Sequence, residues 1–321
     1  MSANSSIQWT DHTFNPWWGC TKVSPGCDNC YAETLARRFG TRWGPEAPRR
    51  TFGADHWAEP LKWNAKAEAA GVRARVFCAS MGDLGDVDAP AGEIERLWAL
   101  IRVTPWLDWQ LLTKRPAQLA KLLPEDWGEG YPNVWLGVSV ELAEYYWRPA
   151  KLLAIPAAVH FLSCEPLLGP LDLAPWLTKV PTRGPGWQLS AGTALEIADV
   201  TLDWVIAGGE SGPGARPCDL AWLRSLRDQC RAADVAFFCK QLGRRPVTTL
   251  EDWYMSPVSG RDASALGTKD VDFPFAEAAV AAGGSMYSAV VLPLKDSHGG
   301  DWEEWPKDLR IREFPVVGSV S

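Results

Sequence analysis

Short runs of apolar residues alternate with helix-like stretches along most of the chain. These runs are largely apolar, without the period-two alternation of a half-exposed strand, so they indicate strands that are buried on both faces. A further candidate strand, residues 6–14, precedes them. The six predicted strands are residues 74–80, 108–113, 133–140, 158–164, 202–209 and 234–240.

Between the strands the apolar residues follow a helical period. In the stretch 92–104, Ile94, Leu97, Trp98 and Ile101 fall on one helical face. Strands and helices that alternate in this way predict a parallel sheet with right-handed crossovers. The number of units favours an α/β fold, a full or partial (β/α) barrel, over an open doubly wound sheet, which stays the alternative. The other predicted helices are residues 30–40, 116–123 and 220–233.

Two segments interrupt the alternation. Residues 176–200 are loop-rich and predict an insertion between two strands. Residues 246–321 are rich in Gly, Ala and Ser over much of their length, which predicts an irregular C-terminal extension packed on the barrel. We therefore expect a barrel domain over residues 1–245 followed by that extension.

Composition limits the classes of function. The chain has 321 residues and a formal net charge of -7, which argues against binding nucleic acid by bulk charge but leaves room for a local basic cleft. No apolar stretch approaches the roughly 18 residues of a membrane span. The N-terminus has no basic segment followed by an apolar core, so we expect a cytoplasmic protein without a membrane partner.

Polar residues follow the predicted strands at the point where each strand ends. The carboxyl ends of parallel strands meet at one edge of a sheet, and ligand sites form there from several loops. The sequence therefore predicts one polar ligand site. Its candidate residues are Ser80, Asp83, Lys114, Ser139, Glu141, Glu165, Gly208, Gly209, Glu210 and Lys240.

Three cysteines, Cys20, Cys27 and Cys30, lie close together between the first candidate strand and the first helix. An odd set of clustered cysteines in a reducing compartment is more typical of metal binding than of disulfides. Zinc would need a fourth ligand, for which His12 and Cys78 are candidates. Three thiolates on a four-iron cluster would instead leave one iron open to a cofactor.

The cysteine loop, which ends in Cys-x-x-Cys-Tyr after the first strand of a partial barrel, resembles the radical S-adenosylmethionine (SAM) superfamily. The commoner spacing there is Cys-x-x-x-Cys-x-x-Cys, whereas six residues separate Cys20 from Cys27 here. Residues 7–33, with the segments LLTKRP, FLSCEPLLGPL, WVIAGGESGPGARP and WPKDLRIREFP, further resemble a phage-associated family of three-cysteine proteins of unknown function. The chain is also distantly similar to the spore photoproduct lyases.

The resemblance implies a role for each candidate. Cys20, Cys27 and Cys30 would bind a [4Fe-4S] cluster, and SAM on the open iron would be cleaved to a 5'-deoxyadenosyl radical. A flavodoxin or ferredoxin would supply the electron, and a nucleotide or nucleic acid is the candidate substrate. The implied SAM-binding residues are Ser80, Asp83, Ser139, Glu141, Gly208, Gly209 and Glu210, and the implied catalytic residues are Glu165 and Lys240.

Two other functions are compatible with the same residues. A zinc-stabilised module could bind nucleic acid or a protein without performing chemistry. A hydrolase or lyase could use Glu165 and Glu210 as an acid/base pair, with the cysteines only structural.

Overall fold

The main sheet has seven strands, and all of its pairings are parallel. The computed structural model describes residues 4–178, 200–249, 289–292 and 294–316. The strands are β1 (His12–Thr13), β2 (Ala74–Cys78), β3 (Leu107–Thr113), β4 (Val134–Ser139), β5 (Val159–Cys164), β6 (Trp204–Gly208) and β8 (Ala236–Gln241).

The strands lie in the sheet in the order in which they occur along the chain, β1-β2-β3-β4-β5-β6-β8. A doubly wound sheet would reverse its order at a switch point, so that alternative is wrong. The prediction of a partial (β/α) barrel is confirmed. Strand β1 is shorter than the predicted 6–14, since only His12 and Thr13 pair with β2.

Helices cover the outer face of the sheet. The stretches 92–104 and 220–233 form helices close to their predicted bounds, whereas 116–123 forms a single turn. The longest of the described helices, α2, was not predicted. The helices are α1 (Tyr31–Arg38), α2 (Ala54–Ala70), α3 (Glu93–Arg102), α4 (Pro116–Leu119), α5 (Trp147–Leu153), α6 (Ala174–Leu177) and α7 (Leu220–Ala232).

Alternate residues of each strand face different sides, and β4 shows the division. Leu136 and Val138 join the large core beneath the helices, whereas Trp135 joins an aromatic cluster on the inner, concave face. The other fully packed members of that inner cluster are Trp9, Phe77, Val159, Phe161, Trp204, Ile206 and Phe238. The concave face is thus apolar toward the amino ends of the strands and polar toward their carboxyl ends.

Gly137 on β4 leaves room for an aromatic ring inside the barrel. A Cβ atom at this position would overlap the ring of Phe161 on β5, which is fully buried. We expect Gly137→Ala to lower the free energy of unfolding by about 1–3 kcal/mol, the usual cost of overpacking a core. Urea denaturation measures this. Adding Phe161→Leu should recover part of the loss, and a neutral Gly137→Ala would contradict the packing argument.

The C-terminal part of the described chain adds a second sheet of three strands, β7 (Cys218–Asp219), β9 (Pro246–Thr249) and β10 (Ala289–Val291). Arg312 then pairs antiparallel with Phe238 on β8. Residues 179–199 and 250–288, on which most of the predicted insertion and extension fall, lie outside the described residues. The boundary at residue 245 stays a prediction. Among the helices that the structure describes, none is both long and apolar enough to cross a membrane.

Candidate active site around the cysteine loop

The cysteine loop, residues 19–30, lies against the carboxyl ends of the strands. It begins where Gly19 pairs with Gly82, in the segment that follows β2, and it ends where Cys30 caps the start of α1. Its three cysteines are partly exposed, whereas the other five cysteines of the chain are buried. The three thiols therefore lie at the polar edge of the sheet.

An ion pair holds the first part of the loop. Arg115 Nη1 lies 3.5 Å from Cys20 Sγ and 3.0 Å from Asp83 Oδ2. Asp83 also accepts hydrogen bonds from the Thr113 hydroxyl and from the Lys114 backbone N–H. Burial raises the pKa of the Cys20 thiol to about 12, and Asp83 adds to this increase while Arg115 opposes it. Both oxygens of Asp83 are thus engaged by the protein.

A second network holds the middle of the loop. Glu141 is fully buried, and its Oε1 accepts a hydrogen bond of 3.0 Å from Ser24 Oγ. Lys114 Nζ lies 3.4 Å from the same oxygen, and Arg148 Nη1 lies 2.8 Å from Oε2. Gly26 packs so closely that a Cβ atom there would overlap this carboxylate. Burial opposes ionisation, but Lys114 and Arg148 outweigh it and lower the pKa of Glu141.

A third network holds the end of the loop. Glu210 Oε2 accepts a hydrogen bond of 2.9 Å from Asn29 Nδ2, and Arg216 Nη2 lies 2.6 Å from Oε1. Arg216 also reaches Asp28, with Nη1 3.5 Å from Oδ2. Burial raises the pKa of Glu210, but the hydrogen bonds from Arg216 and Asn29 lower it overall. Arg216 therefore makes a structural ion pair between two loops.

Asp83, Glu141 and Glu210, which we call the anchor carboxylates, share one arrangement. Each is buried, each pairs with at least one cation, and each network contacts a different part of the cysteine loop. Sequence reasoning placed all three at the correct edge of the sheet. It missed the roles of Ser24, Asn29, Arg115 and Arg148, which become visible only once the partners are in place.

The remaining candidates lie at the carboxyl ends of β5, β6 and β8. Lys240 Nζ on β8 lies 3.1 Å from Glu165 Oε1 and forms an ion pair with it. The angles at this contact are not those of a hydrogen bond, and Oε1 accepts no hydrogen bond within the described residues. Gly208 packs beside the same carboxylate, and Gly209 accepts a hydrogen bond from the side chain of Gln241. Glu165 and Lys240 are thus a partly exposed pair at one side of the polar edge.

Two serine candidates already have protein partners. Ser139 Oγ accepts a hydrogen bond of 3.1 Å from Lys114 Nζ. Ser80 Oγ accepts one of 3.0 Å from Asn15 Nδ2, and its backbone carbonyl accepts one of 2.8 Å from the Tyr31 hydroxyl. Tyr31, which directly follows the last cysteine, is thereby tied to the loop after β2.

The geometry bears on the two competing functions. Among the residues described, no three His, Cys, Asp or Glu side chains come together as ligands of a single metal ion. Cys78 is wholly buried, and the ring of His12 stacks on Trp63 with centroids 4.5 Å apart. In the acid/base alternative Glu210 would have to act on a substrate, yet Arg216 and Asn29 already engage both of its oxygens. Neither alternative gains support.

A four-iron cluster makes a different demand from that of a single ion. Each cysteine binds a separate iron, so the three sulfurs do not have to surround one point. A four-iron cluster with one open iron needs three cysteine thiolates as ligands. The loop carries three thiols, and all three are partly exposed. The donor set therefore fits this group.

Comparison with known proteins gives one family and two distant structures. The family model described as "Protein of unknown function (DUF5131)" matches residues 4–281. No curated protein matches the chain. A double mutant of spore photoproduct lyase with bound AdoMet and dinucleoside spore photoproduct is similar at 15% identity and a TM-score of 0.38, over 51% of this chain and 47% of that one. A single mutant of the lyase is similar at 16% identity and a TM-score of 0.40, over 52% and 48%. The chain thus matches about half the length of these structures.

Proposed function

Because the chain belongs to the DUF5131 family, whose function is unknown, its activity has to be argued from the site, and we propose that it is a radical SAM enzyme. Cys20, Cys27 and Cys30 would hold a [4Fe-4S] cluster with one open iron. When bound and reduced, that cluster supplies the cleavage of SAM to a 5'-deoxyadenosyl radical. The cysteine loop carries the proposal, because its three thiols are the only partly exposed ones of the chain's eight.

The loop is built to keep its shape. The networks of the three anchor carboxylates reach its beginning, middle and end, and Asp83 does so through Arg115. A cluster site needs ligands that are held in place by a surrounding shell of such contacts. We therefore propose Asp83, Glu141 and Glu210 as positioning residues of the loop, in place of the direct SAM contacts that the sequence resemblance implied.

Cys30 has a further advantage as a ligand. It precedes the first residue of α1, where the positive end of the helix dipole stabilises a negatively charged sulfur. Burial raises the pKa of the Cys30 thiol, while the backbone N–H groups of Glu33 and Ala32 act in the opposite direction. These N–H groups would hydrogen-bond the sulfur in the cluster-bound form.

The concave face would bind SAM and the substrate. Ser80, Ser139, Gly208 and Gly209 stay our candidates for contacts with SAM. The Glu165–Lys240 pair is partly exposed and lies outside the three networks, so we assign it to the substrate, with Lys240 placed to bind an acidic or hydrogen-bond-accepting group. The aromatic cluster beneath this edge excludes water from one side of the reaction. A flavodoxin- or ferredoxin-type protein would deliver the electron.

Anaerobic reconstitution with iron and sulfide, followed by electron paramagnetic resonance, tests the proposal. The reduced protein should give a [4Fe-4S] signal that changes when SAM is added, because SAM occupies the open iron. Incubation with SAM and dithionite should then release 5'-deoxyadenosine. A protein that takes up one zinc per chain and no cluster would overturn the proposal and favour the zinc-stabilised module.

A further inference from the structure

An unusually basic segment follows the cysteine loop. Residues 36–52, ARRFGTRWGPEAPRRTF, contain five arginines and a single acidic residue, Glu46. The chain as a whole carries a net charge of -7, whereas this segment carries a net positive charge. Arginines interleaved with aromatic residues are the composition with which proteins contact both the phosphates and the bases of nucleic acids.

Most of these charges are available to a partner. Arg38 and Arg42 are exposed, and no carboxylate of the described residues forms an ion pair with either of them. Arg50 is also exposed, and its guanidinium lies over the rings of Trp18 and Phe52, 5.0 Å and 5.5 Å from their centroids. Three cations thus lack a carboxylate partner in the part of the chain that the structure describes.

An exposed aromatic ring lies among these arginines. Phe39 is 63% exposed, and its ring lies 5.8 Å from that of Trp18. The face of this ring is therefore accessible to a partner. An unpaired base has a flat face that would stack on this ring.

A buried arginine holds the segment in place. The side chain of Arg49 is 2% exposed, and its Nε lies 2.7 Å from Asp86 Oδ2. Its Nη1 donates to the backbone carbonyls of Gly44 and Ala47, at 3.0 Å and 2.9 Å. The segment is therefore ordered before it binds, which reduces the entropic cost of association.

The basic segment borders the cysteine loop. Helix α1 starts directly after Cys30 and ends at Arg38, and its eight residues span about 12 Å. Trp18, on which Arg50 and Phe39 pack, lies two residues before Cys20. A polymer bound on this surface would therefore pass beside the polar edge of the sheet.

We propose that Arg38, Phe39, Arg42 and Arg50 form a surface that binds single-stranded nucleic acid. The arginines contact phosphates, and the Phe39 ring stacks on an unpaired base. The surface deepens the proposed function, because it names the class of macromolecule whose nucleotide would reach the concave face. The proposed surface rests on the radical SAM function only for the chemistry that follows binding. Nucleic-acid binding itself requires no cluster.

Fluorescence anisotropy with a labelled mixed-sequence DNA strand tests the surface. The full chain should bind the single strand at low salt, and Arg38→Glu with Arg42→Glu should weaken binding at least tenfold. The double variant should also lower the dependence of log K on log salt by about 1.4, since each phosphate contact to a single strand contributes about 0.7. Phe39→Ala should weaken binding about tenfold without changing that slope.

A matched control separates the surface from net charge. Lys66→Glu with Arg231→Glu makes the same change in charge on two exposed residues near the ends of α2 and α7, which lie at the opposite edge of the sheet. This control should bind within about twofold of the unmodified chain. Equal losses in both double variants, an unaffected Arg38/Arg42 variant, or no binding at all would overturn the proposal.

Two competitors decide the class of partner. Duplex DNA should compete less well than the single strand, because its bases are unavailable to Phe39, and polyglutamate should compete weakly. Equal competition by either would overturn the assignment to single strands. Binding measured without a cluster distinguishes the two proposals: a chain that binds single strands but never takes up iron would keep this surface and lose the radical SAM function.

Discussion

Replacing Cys27 with alanine is expected to abolish cluster binding and to leave the chain folded. The cysteine is partly exposed, and within the described residues its sulfur hydrogen-bonds only with the Ser24 hydroxyl, at 3.8 Å. Its backbone N–H bonds to the Ser24 carbonyl regardless of the side chain. Two remaining thiolates would not retain the cluster. Iron and sulfide per chain should fall from a full cluster to almost none, while the circular dichroism stays unchanged.

Cys230→Ala is the matched control for this prediction. Cys230 is fully buried in α7, far from the cysteine loop along the chain, and it packs in the core beneath the sheet. We expect this variant to lose about 1 kcal/mol of stability and to keep its full iron content. If Cys27→Ala unfolds the chain, the metal is structural. If it retains a full cluster, the ligand assignment is wrong.

Glu141→Ala is expected to lower the free energy of unfolding by about 3–5 kcal/mol, the usual cost of breaking a buried ion pair by removing one partner. The side chain of Arg148 is 1% exposed, so without the carboxylate it would be a buried cation with no countercharge nearby. Lys114 and the Ser24 hydroxyl would lose the same partner. Urea denaturation followed by tryptophan fluorescence measures the change.

The pH dependence supplies a second measure of this pair. The folded-state pKa of Glu141 is lowered, so its contribution is fully present above the unfolded-state pKa of about 4.3 and is lost as the pH falls through the folded value. Stability should therefore fall with acidity below about pH 4, and Glu141→Gln should show a smaller fall. Glu144→Ala, an exposed control three residues away, should change stability by less than about 0.5 kcal/mol. If Glu141→Ala lowers the free energy of unfolding by no more than the Glu144→Ala control does, the buried ion pair does not stabilise the fold as argued.

The central strands could be predicted from the sequence because burial on both faces gives them a continuous apolar run. Residues 108–113 and 158–164 were predicted within one residue of the observed β3 and β5. Strand β1 was overpredicted because Trp9 is buried on the concave face beside the sheet without pairing as a strand. Periodicity reports burial, and it does not distinguish a buried loop residue from a buried strand residue.

Helix α2 was missed because it contains Pro60, which normally ends a helix. The helix continues because Trp57 and Trp63 pack into the core on either side of the proline. Conversely, the predicted helix at 116–123 forms only a single turn in α4. In both cases tertiary packing outweighs local propensity, which a sequence pattern does not record.

The site was predictable in position and less so in its contacts. Strand ends placed Asp83, Glu141 and Glu210 together, because parallel strands finish at one edge. What each carboxylate contacts depends on residues that no motif marks, such as Ser24, which lies 117 residues before Glu141 in the chain. Cysteine spacing was the signal in the sequence that pointed to a metal centre.

The three anchors also set an order of events during synthesis. The cysteines leave the ribosome among the first thirty residues, but Asn29 bonds to Glu210, which is 181 residues further along the chain. At about 5–20 residues per second, translation of that interval takes roughly 10–35 s. During this interval the thiols precede the ion pairs that shape their loop. The loop therefore reaches its final shape only after the last anchor is translated, and under the proposed function cluster assembly would follow that step.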